Sequence, residues 1–285
     1  MITGFTAENL KRRILKPIED SYDSRQTRQL IALSVADGIT RDFKDGSVVD
    51  RNFKSLVKFL FGYYPNPSPA REVADLFTKD FAWGEGDVRE RFRICNEGIW
   101  SYNQQNFSNT NFLENDLEGC VASGALVQVR DVSYGFICDS GLAVFDSKGN
   151  LQFRTENEGP NSKGSIDEDI QKRYREDFVH PEGRARIRRE YRNNPSKPLA
   201  YGALTGQEEA MYYIGVGYRE LKDGELVMLF TDGLENFLNL GEFIDLLRQG
   251  AEKRDFSALR KFCRKRVETE GTAVIYVPAN FLKTT

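Results

Sequence analysis

The run from Glu225 to Leu234 reads Glu-Leu-Val-Met-Leu-Phe-Thr-Asp-Gly-Leu, an apolar strand that delivers a carboxylate, Asp232, and a glycine, Gly233, together at its end. The same arrangement closes an earlier run, Ile31-Ala32-Leu33-Ser34-Val35-Ala36-Asp37-Gly38. A strand holds its terminal carboxylate in place, and glycine lets the backbone and its carbonyl come close to an ion. Two such carboxylates, far apart in sequence, suit a shared divalent-cation site. Asp-Gly is also among the commonest turn dipeptides, so each instance alone reads as a turn. The weight lies in the order of the short motifs around the pair.

The elements that must position these residues can be read from periodicity. A strand is expected around Leu30 to Ala36. Val49, Phe53, Leu56, Val57 and Leu60 recur at helical spacing, as do Val88, Phe92, Cys95, Ile99 and Tyr102, so both stretches predict amphipathic helices whose apolar stripes cover a sheet. Pro65-Asn66-Pro67-Ser68-Pro69 separates the first from another short helix through Phe81. From Cys120 to Phe145 the pattern changes to close-set β runs, Ala125 to Val129, Tyr134 to Cys138 and Leu142 to Phe145, with Asp146 to Asn150 as a hairpin turn. Residues 155 to 198 are polar and turn-rich, then strongly basic, and read as a surface insertion. Sheet is expected again at Met211 to Val216 and Leu226 to Phe230, helices from Leu240 to Gln249 and Ser257 to Val267, and a last strand from Thr272 to Val277. Strands in blocks interspersed with runs of helices indicate an α+β fold of antiparallel sheet.

With 285 residues, 40% of them hydrophobic and 29% charged, the chain has the composition of a soluble globular protein and is expected to form one domain, 1–285. No apolar run approaches the roughly 20 residues that a membrane span needs, and Met1 to Lys16 carries no signal-peptide core, so neither a membrane nor an export route is expected. Cys95, Cys120, Cys138 and Cys263 are scattered without a Cys-x-x-Cys pair, which argues against zinc and a disulfide framework and for a reducing cytoplasm. A formal net charge of −3 disfavours a nucleic-acid partner. Histidine occurs once, at His180, which disposes of Ser-His-Asp and Cys-His mechanisms unless that residue serves.

Glu19-Asp20, Val35-Ala36-Asp37-Gly38, Gly119-Cys120-Val121-Ala122, Cys138-Asp139-Ser140, Thr231-Asp232-Gly233 and Glu270-Gly271-Thr272 ahead of Ala273 to Val277 follow one another in an order that resembles the metal-dependent Ser/Thr protein phosphatases of type 2C. The resemblance spans nearly the whole chain. It implies two packed antiparallel β-sheets flanked by helices, with metals in a cleft at one edge of the sandwich, and hydrolysis of phosphoserine or phosphothreonine in proteins, opposite a Ser/Thr kinase. All-oxygen ligands select hard ions, Mn²⁺ or Mg²⁺. Two ions roughly 3.5 to 4 Å apart would share a bridging water and present it in line to phosphorus.

By that resemblance Asp37 bridges both metals, the Gly38 carbonyl binds one and Asp232 the other. Glu19 acts directly or through water, with Asp20 as its companion. Lys16, or Arg13 or Arg12, supplies the phosphate-binding charge that the family places at the position of Leu15. The family's closing acidic pair is Thr269 and Glu270 here. If Glu270 replaces the missing ligand, a bulge or turn at Gly271 is expected to swing it toward Asp37 and Asp232. A weaker third metal would use Asp139 and Asp232, its remaining position being Asn236; Asp139 reads equally well as a cap on the turn at Ser140-Gly141. Ile39-Thr40-Arg41 stands where many eukaryotic members carry a histidine. His180 opens a segment rich in arginine, at 184, 186, 188, 189 and 192, which reads as a solvated helix face or as a docking surface for a phosphorylated, acidic partner. Two other functions stay open: a catalytically weak or inactive regulatory module, and a phosphatase of small phosphate esters.

Overall fold

The computed structural model describes residues 1–9, 18–39, 68–107, 109–113, 116–160, 162, 166, 168, 172–173 and 181–281; the helix expected from Val49 to Leu60 lies outside them. Ten strands are described: β1 (Ile2–Glu8), β2 (Ser21–Gln26), β3 (Ile31–Gly38), β4 (Cys120–Gln128), β5 (Asp131–Ile137), β6 (Gly141–Phe145), β7 (Leu151–Arg154), β8 (Gly215–Glu220), β9 (Leu226–Phe230) and β10 (Glu270–Tyr276). They form two five-stranded sheets, ordered β1-β10-β9-β6-β7 and β2-β3-β4-β5-β8. Every pairing is antiparallel. Helices α1 (Pro69–Trp83) and α2 (Val88–Asn106) flank the second sheet, and α4 (Gly241–Lys253) and α5 (Ser257–Arg266) the first; α3 (Pro181–Arg186) belongs to the basic segment. The fold is α+β.

Two-residue alternation explains why the central strands read as unbroken apolar runs. In β9, Leu226, Met228 and Phe230 join the cluster under α4 and α5, while Val227 and Leu229 join the layer between the sheets. In β3, Leu33 and Val35 face the other sheet, and Ala32 and Ala36 meet α1 and α2. These helices bring Phe77, Phe81 and Phe92 together at ring-centroid spacings of 5.1 to 5.7 Å, each burial contributing about 1.5–3 kcal/mol. The Phe81 ring lies where a Cβ on Gly124 would be, so β4 needs glycine there. Both helices start on side-chain caps: Ser68 Oγ accepts from Arg71 N–H (3.2 Å), and Asp87 accepts from Glu90 N–H (2.9 Å).

Met211 to Val216, expected as strand, is instead the end of a 3₁₀ turn, Glu208–Tyr213, with β8 beginning only at Gly215. The acidic pair Glu208-Glu209 in its first turn favours the helical start, and Ala210 is buried beneath it. All four cysteines are free and buried. Among the described residues, no helix is long and apolar enough to cross a membrane.

Candidate metal centre

The site is built where the ends of both sheets meet. Ser21 pairs with Ala36 at the end of β2, and Gly38 N–H donates to the Glu19 carbonyl at 3.3 Å, so the ladder continues one step past β2 and sets Asp20 opposite Asp37. From the other sheet β10 contributes Glu270, whose carboxylate accepts from Glu19 N–H at 3.1 and 3.0 Å and from Asp20 N–H at 3.4 Å. Asp20, Asp37 and Glu270 each offer an oxygen, and these oxygens lie within 4.8 Å of one another. The bulge expected at Gly271 is absent: β10 pairs with β1 in unbroken register from Glu270 to Tyr276. Convergence of the sheet ends, rather than a local kink, aims Glu270 at the site.

Thr231 locks the same corner. Its hydroxyl donates to Asp20 Oδ2 at 2.7 Å and accepts from Thr272 N–H at 2.9 Å. Immediately after it a 3₁₀ turn, Asp232–Phe237, runs so close to β10 that a Cβ on Gly233 would collide with the Glu270 carbonyl. This explains the glycine in Asp232-Gly233: it admits the turn against the start of β10.

Asp20 is 1% exposed, and its second oxygen, Oδ1, is buried with no hydrogen-bond partner. A buried carboxylate oxygen without a partner is unfavourable unless a proton or a cation meets it. The Asp20 carboxyl is pushed up to about 6, first by burial, against the pull of the Thr231 hydroxyl and with the charge of Asp232 adding to the rise. Asp139 is pushed up to about 7 by burial and then by the same Asp232, while hydrogen bonds from its own N–H and from the Cys138 thiol oppose the rise. Cys138, one residue earlier, is held in the left-handed region at φ 68°, strain of the kind that collects at functional turns. An all-oxygen donor set with an orphaned buried oxygen fits a hard divalent ion such as Mg²⁺ or Mn²⁺.

The residues singled out from sequence are distributed unevenly around this centre. Asp37, Asp20 and Glu270 come together. Asp232 is exposed beside them and acts on Asp20 and Asp139 through its charge. The Glu19 side chain, fully buried, accepts from Ser68 Oγ at 3.4 Å and does not belong to the triplet, so the geometry brings forward Asp20, the expected companion. Gly38 is buried under the start of α1, where a Cβ would meet the Ala70 carbonyl. Lys16, Arg12, Arg13, Leu15 and His180 lie outside the described residues. A cation that sequence reading did not pick out stands here: the Arg71 guanidinium donates to the Asp20 carbonyl and pairs with Asp75 at 2.9 Å.

The basic segment is not the uniform solvated face that its composition suggests. Arg184, Arg188 and Arg192 converge on one carboxylate, Asp116, with Arg188 at 3.1 Å and Arg192 at 3.5 Å, and with side chains only 13–15% exposed. Their four-residue spacing was visible in the sequence; Asp116, in a polar stretch with no periodicity, was not. Arg186 pairs with Glu190 at 3.1 Å and lies over the Tyr191 ring. Arg189 stays exposed and donates to the Ala185 carbonyl. Arg192 also reaches Tyr201, whose hydroxyl feels the charge of Asp139, so the basic segment adjoins the metal-centre turn.

No family profile and no curated protein matches the sequence. Solved structures do match along nearly the full length. The catalytic domain of the serine/threonine protein phosphatase PstP, in complex with two manganese ions, is 16% identical with a TM-score of 0.57, covering 96% of this chain and 96% of that one. Serine/threonine phosphatase Stp1 from Staphylococcus aureus is 14% identical with a TM-score of 0.59, covering 98% and 94%. RsbX in complex with magnesium is 12% identical with a TM-score of 0.54, covering 96% and 92%. The chain therefore has the fold of the type 2C phosphatases.

Proposed function

We propose that this chain is a Mn²⁺- or Mg²⁺-dependent phosphatase acting on phosphoserine and phosphothreonine in proteins, in cytoplasmic signalling opposite a Ser/Thr kinase. The observation that carries the reading is the acidic triplet Asp20, Asp37 and Glu270, with an unpartnered buried oxygen on Asp20, at the junction of two sheets whose fold is shared with manganese- and magnesium-bound structures. In this reading Asp37 and Asp232 hold two ions with help from the Gly38 carbonyl, Asp20, Glu19 and Glu270; Asp139 holds a weaker third; and Lys16 meets the substrate phosphate. Such ions, when bound, supply a water of lowered pKa in line with phosphorus. The chain's own contribution is to fix the carboxylates on strand ends, to exclude water from Asp20 and to gather the charge that makes cation binding favourable. Residues 155–198 would lie as a flap beside the cleft.

One observation favours a second reading, a non-catalytic module. Both oxygens of Glu270 already accept backbone N–H groups, so this residue ties the sheets together without any ion. Hydrolysis of an aryl phosphate and of a phosphothreonine peptide, each with and without Mn²⁺, separates the two. Metal-dependent turnover of the peptide is the expected result. Turnover of neither substrate alongside tight Mn²⁺ binding would establish the module, and turnover of the aryl ester alone would favour a small-molecule phosphatase.

A further inference from the structure

Strand β1 is the outer strand of its sheet, with β10 on one side only. The Met1 amino group donates to the Val277 carbonyl, Val277 N–H returns a bond to the Met1 carbonyl, and at the far end Asn9 N–H donates to Thr269. Exchanging and non-exchanging pairs alternate in an antiparallel ladder. Thr3, Phe5 and Ala7 therefore bond to β10, while Ile2, Gly4 and Thr6 turn their N–H and C=O groups to the open side. Among the described residues nothing pairs with that side.

Open edges are ordinarily guarded by charge, proline, bulges or brevity. The other three edges of this sandwich are: β2 carries Asp23 and Arg25, β8 ends in Arg219-Glu220, and β7 is four residues long. β1 runs seven residues with no charge before Glu8, no proline and no break in register.

Along β1 lies a groove of about 500 Å³ whose far wall is α5 and the corner leading into it. Arg260, Lys261 and Arg264 share one face of α5, and Arg254 turns in from the end of α4 with a left-handed backbone, φ 55°. All four are exposed and, among the described residues, none forms an ion pair, whereas Arg93, Arg130, Arg248 and Arg266 on other surfaces are each paired. Asp255, the one acid among the groove's described lining residues, is occupied by the Ser257 N–H (2.9 Å) and hydroxyl (3.1 Å). Its aromatic floor, Phe5 and Phe256, is buried.

We infer that this groove docks an acidic, extended segment of a partner protein, which adds to β1 as a sixth strand and sets alternate carboxylates against Arg254, Arg260, Lys261 and Arg264. The free backbone groups call for an extended peptide, which strand addition satisfies. The unpaired cations call for negative charge, and a strand delivers it to one face through every second residue. Among the groove's described lining residues the apolar side chains, Phe5 and Phe256, are buried, so none of these enters a lipid surface. The chain as a whole is acidic, so the attraction is local to this groove. The inference concerns binding and stands apart from the catalytic reading.

The test is fluorescence polarisation with a fluorescein-labelled octapeptide alternating glutamate and valine, titrated with the full chain. Saturable binding is expected, weakened at least about tenfold in the Arg260→Glu, Arg264→Glu double variant and little changed in Arg248→Glu, outside the groove. The same peptide N-methylated along its length keeps its charge but cannot pair with β1, and it should also lose at least about tenfold. No saturable binding, equal binding by the double variant, an equal loss in Arg248→Glu, or undiminished binding of the N-methylated peptide each overturns the inference. Should the double variant fail to fold by circular dichroism, Arg260→Gln with Arg264→Gln is judged by the same criterion.

Discussion

Asp20 and Asp37 face each other across the last step of the β2–β3 ladder, both on strand-end backbone, with Glu270 closing the triangle from the other sheet. Like charges directly opposite on a ladder are destabilising by themselves. The Asp37 side chain also hydrogen-bonds Asp20, so the net effect of the pair on the metal-free fold and its value to a cation are to be measured separately.

We predict that Asp37→Asn leaves the metal-free fold as stable as before or more stable by about 1 kcal/mol, because one of two opposed carboxylates loses its charge. Mn²⁺ affinity and metal-dependent turnover should fall at least about a hundredfold. Urea unfolding in EDTA and calorimetric Mn²⁺ titration measure the two arms. Unchanged Mn²⁺ affinity would exclude Asp37 as a ligand.

For Asp232→Ala the fold should be retained, since the side chain is exposed, while the raised pKa values of Asp20 and Asp139 should both move down as a shared neighbouring charge is removed. Carboxyl-resolved NMR titration of the metal-free protein reads both groups. A shift in neither group would refute the placement of Asp232 between them.

The pH dependence of stability has a definite sign. Asp20 and Asp139 carry folded-state values of about 6 and about 7 against an ordinary 3.8. A carboxyl raised on folding contributes stability that is full below its unfolded value and is lost as pH rises through the folded one. In EDTA stability should therefore rise as pH is lowered from 8 to 5, by up to about 1.4 kcal/mol per pH unit for each proton taken up, and the melting temperature should rise with it. Saturating Mn²⁺ favours the ionised forms, so its stabilising effect should shrink over the same window. A metal-free melting temperature that falls steadily from pH 8 to 5 would contradict this.

Glu270→Gln should destabilise by about 1–3 kcal/mol, because the amide turns a donor toward the Glu19 and Asp20 N–H groups that the carboxylate now accepts. Denaturant unfolding in EDTA measures it. If Glu270 also holds an ion, Mn²⁺ affinity drops in the same variant; an intact affinity with lost stability would assign it to tying the sheets alone.

The Asp116 carboxylate, shared by three arginines, gives a fourth expectation for stability. Asp116→Asn should cost about 1–3 kcal/mol, because a buried charge-assisted acceptor shared by the arginines is weakened, with hydrogen exchange accelerating first in residues 181–201. Exchange unchanged in that segment would mean that the arginines find other partners.

Much of this architecture could be read from local pattern. Unbroken apolar runs marked β3, β6 and β9 because each is buried on both faces, and the 3.6-residue stripe from Val88 to Tyr102 marked α2. Where the reading went astray, tertiary placement decided. Met211 to Val216 has strand composition, yet the acidic first turn at Glu208-Glu209 starts a helical turn that takes in half of it. Which of the adjacent acids Glu19 and Asp20 stands with Asp37 and Glu270 is a one-residue question that alternation answers only once register is known. The reach of Glu270 and the grip of Asp116 on three arginines come from contacts between segments far apart in sequence.

The buried thiols have a practical meaning of their own. Cys263 is pushed up to about 12, and Cys95, Cys120 and Cys138 are also pushed well up, all mainly by desolvation. Since the thiolate is the reactive form, an alkylating reagent in solution meets four sulfurs that do not respond until the chain opens. Cys120 and Cys138 flank the turns beside the acidic centre, Cys95 lies under the aromatic cluster, and Cys263 is on the opposite helical layer. Pulsed alkylation read by mass spectrometry would therefore time the opening of each layer separately, with no label added and no residue changed.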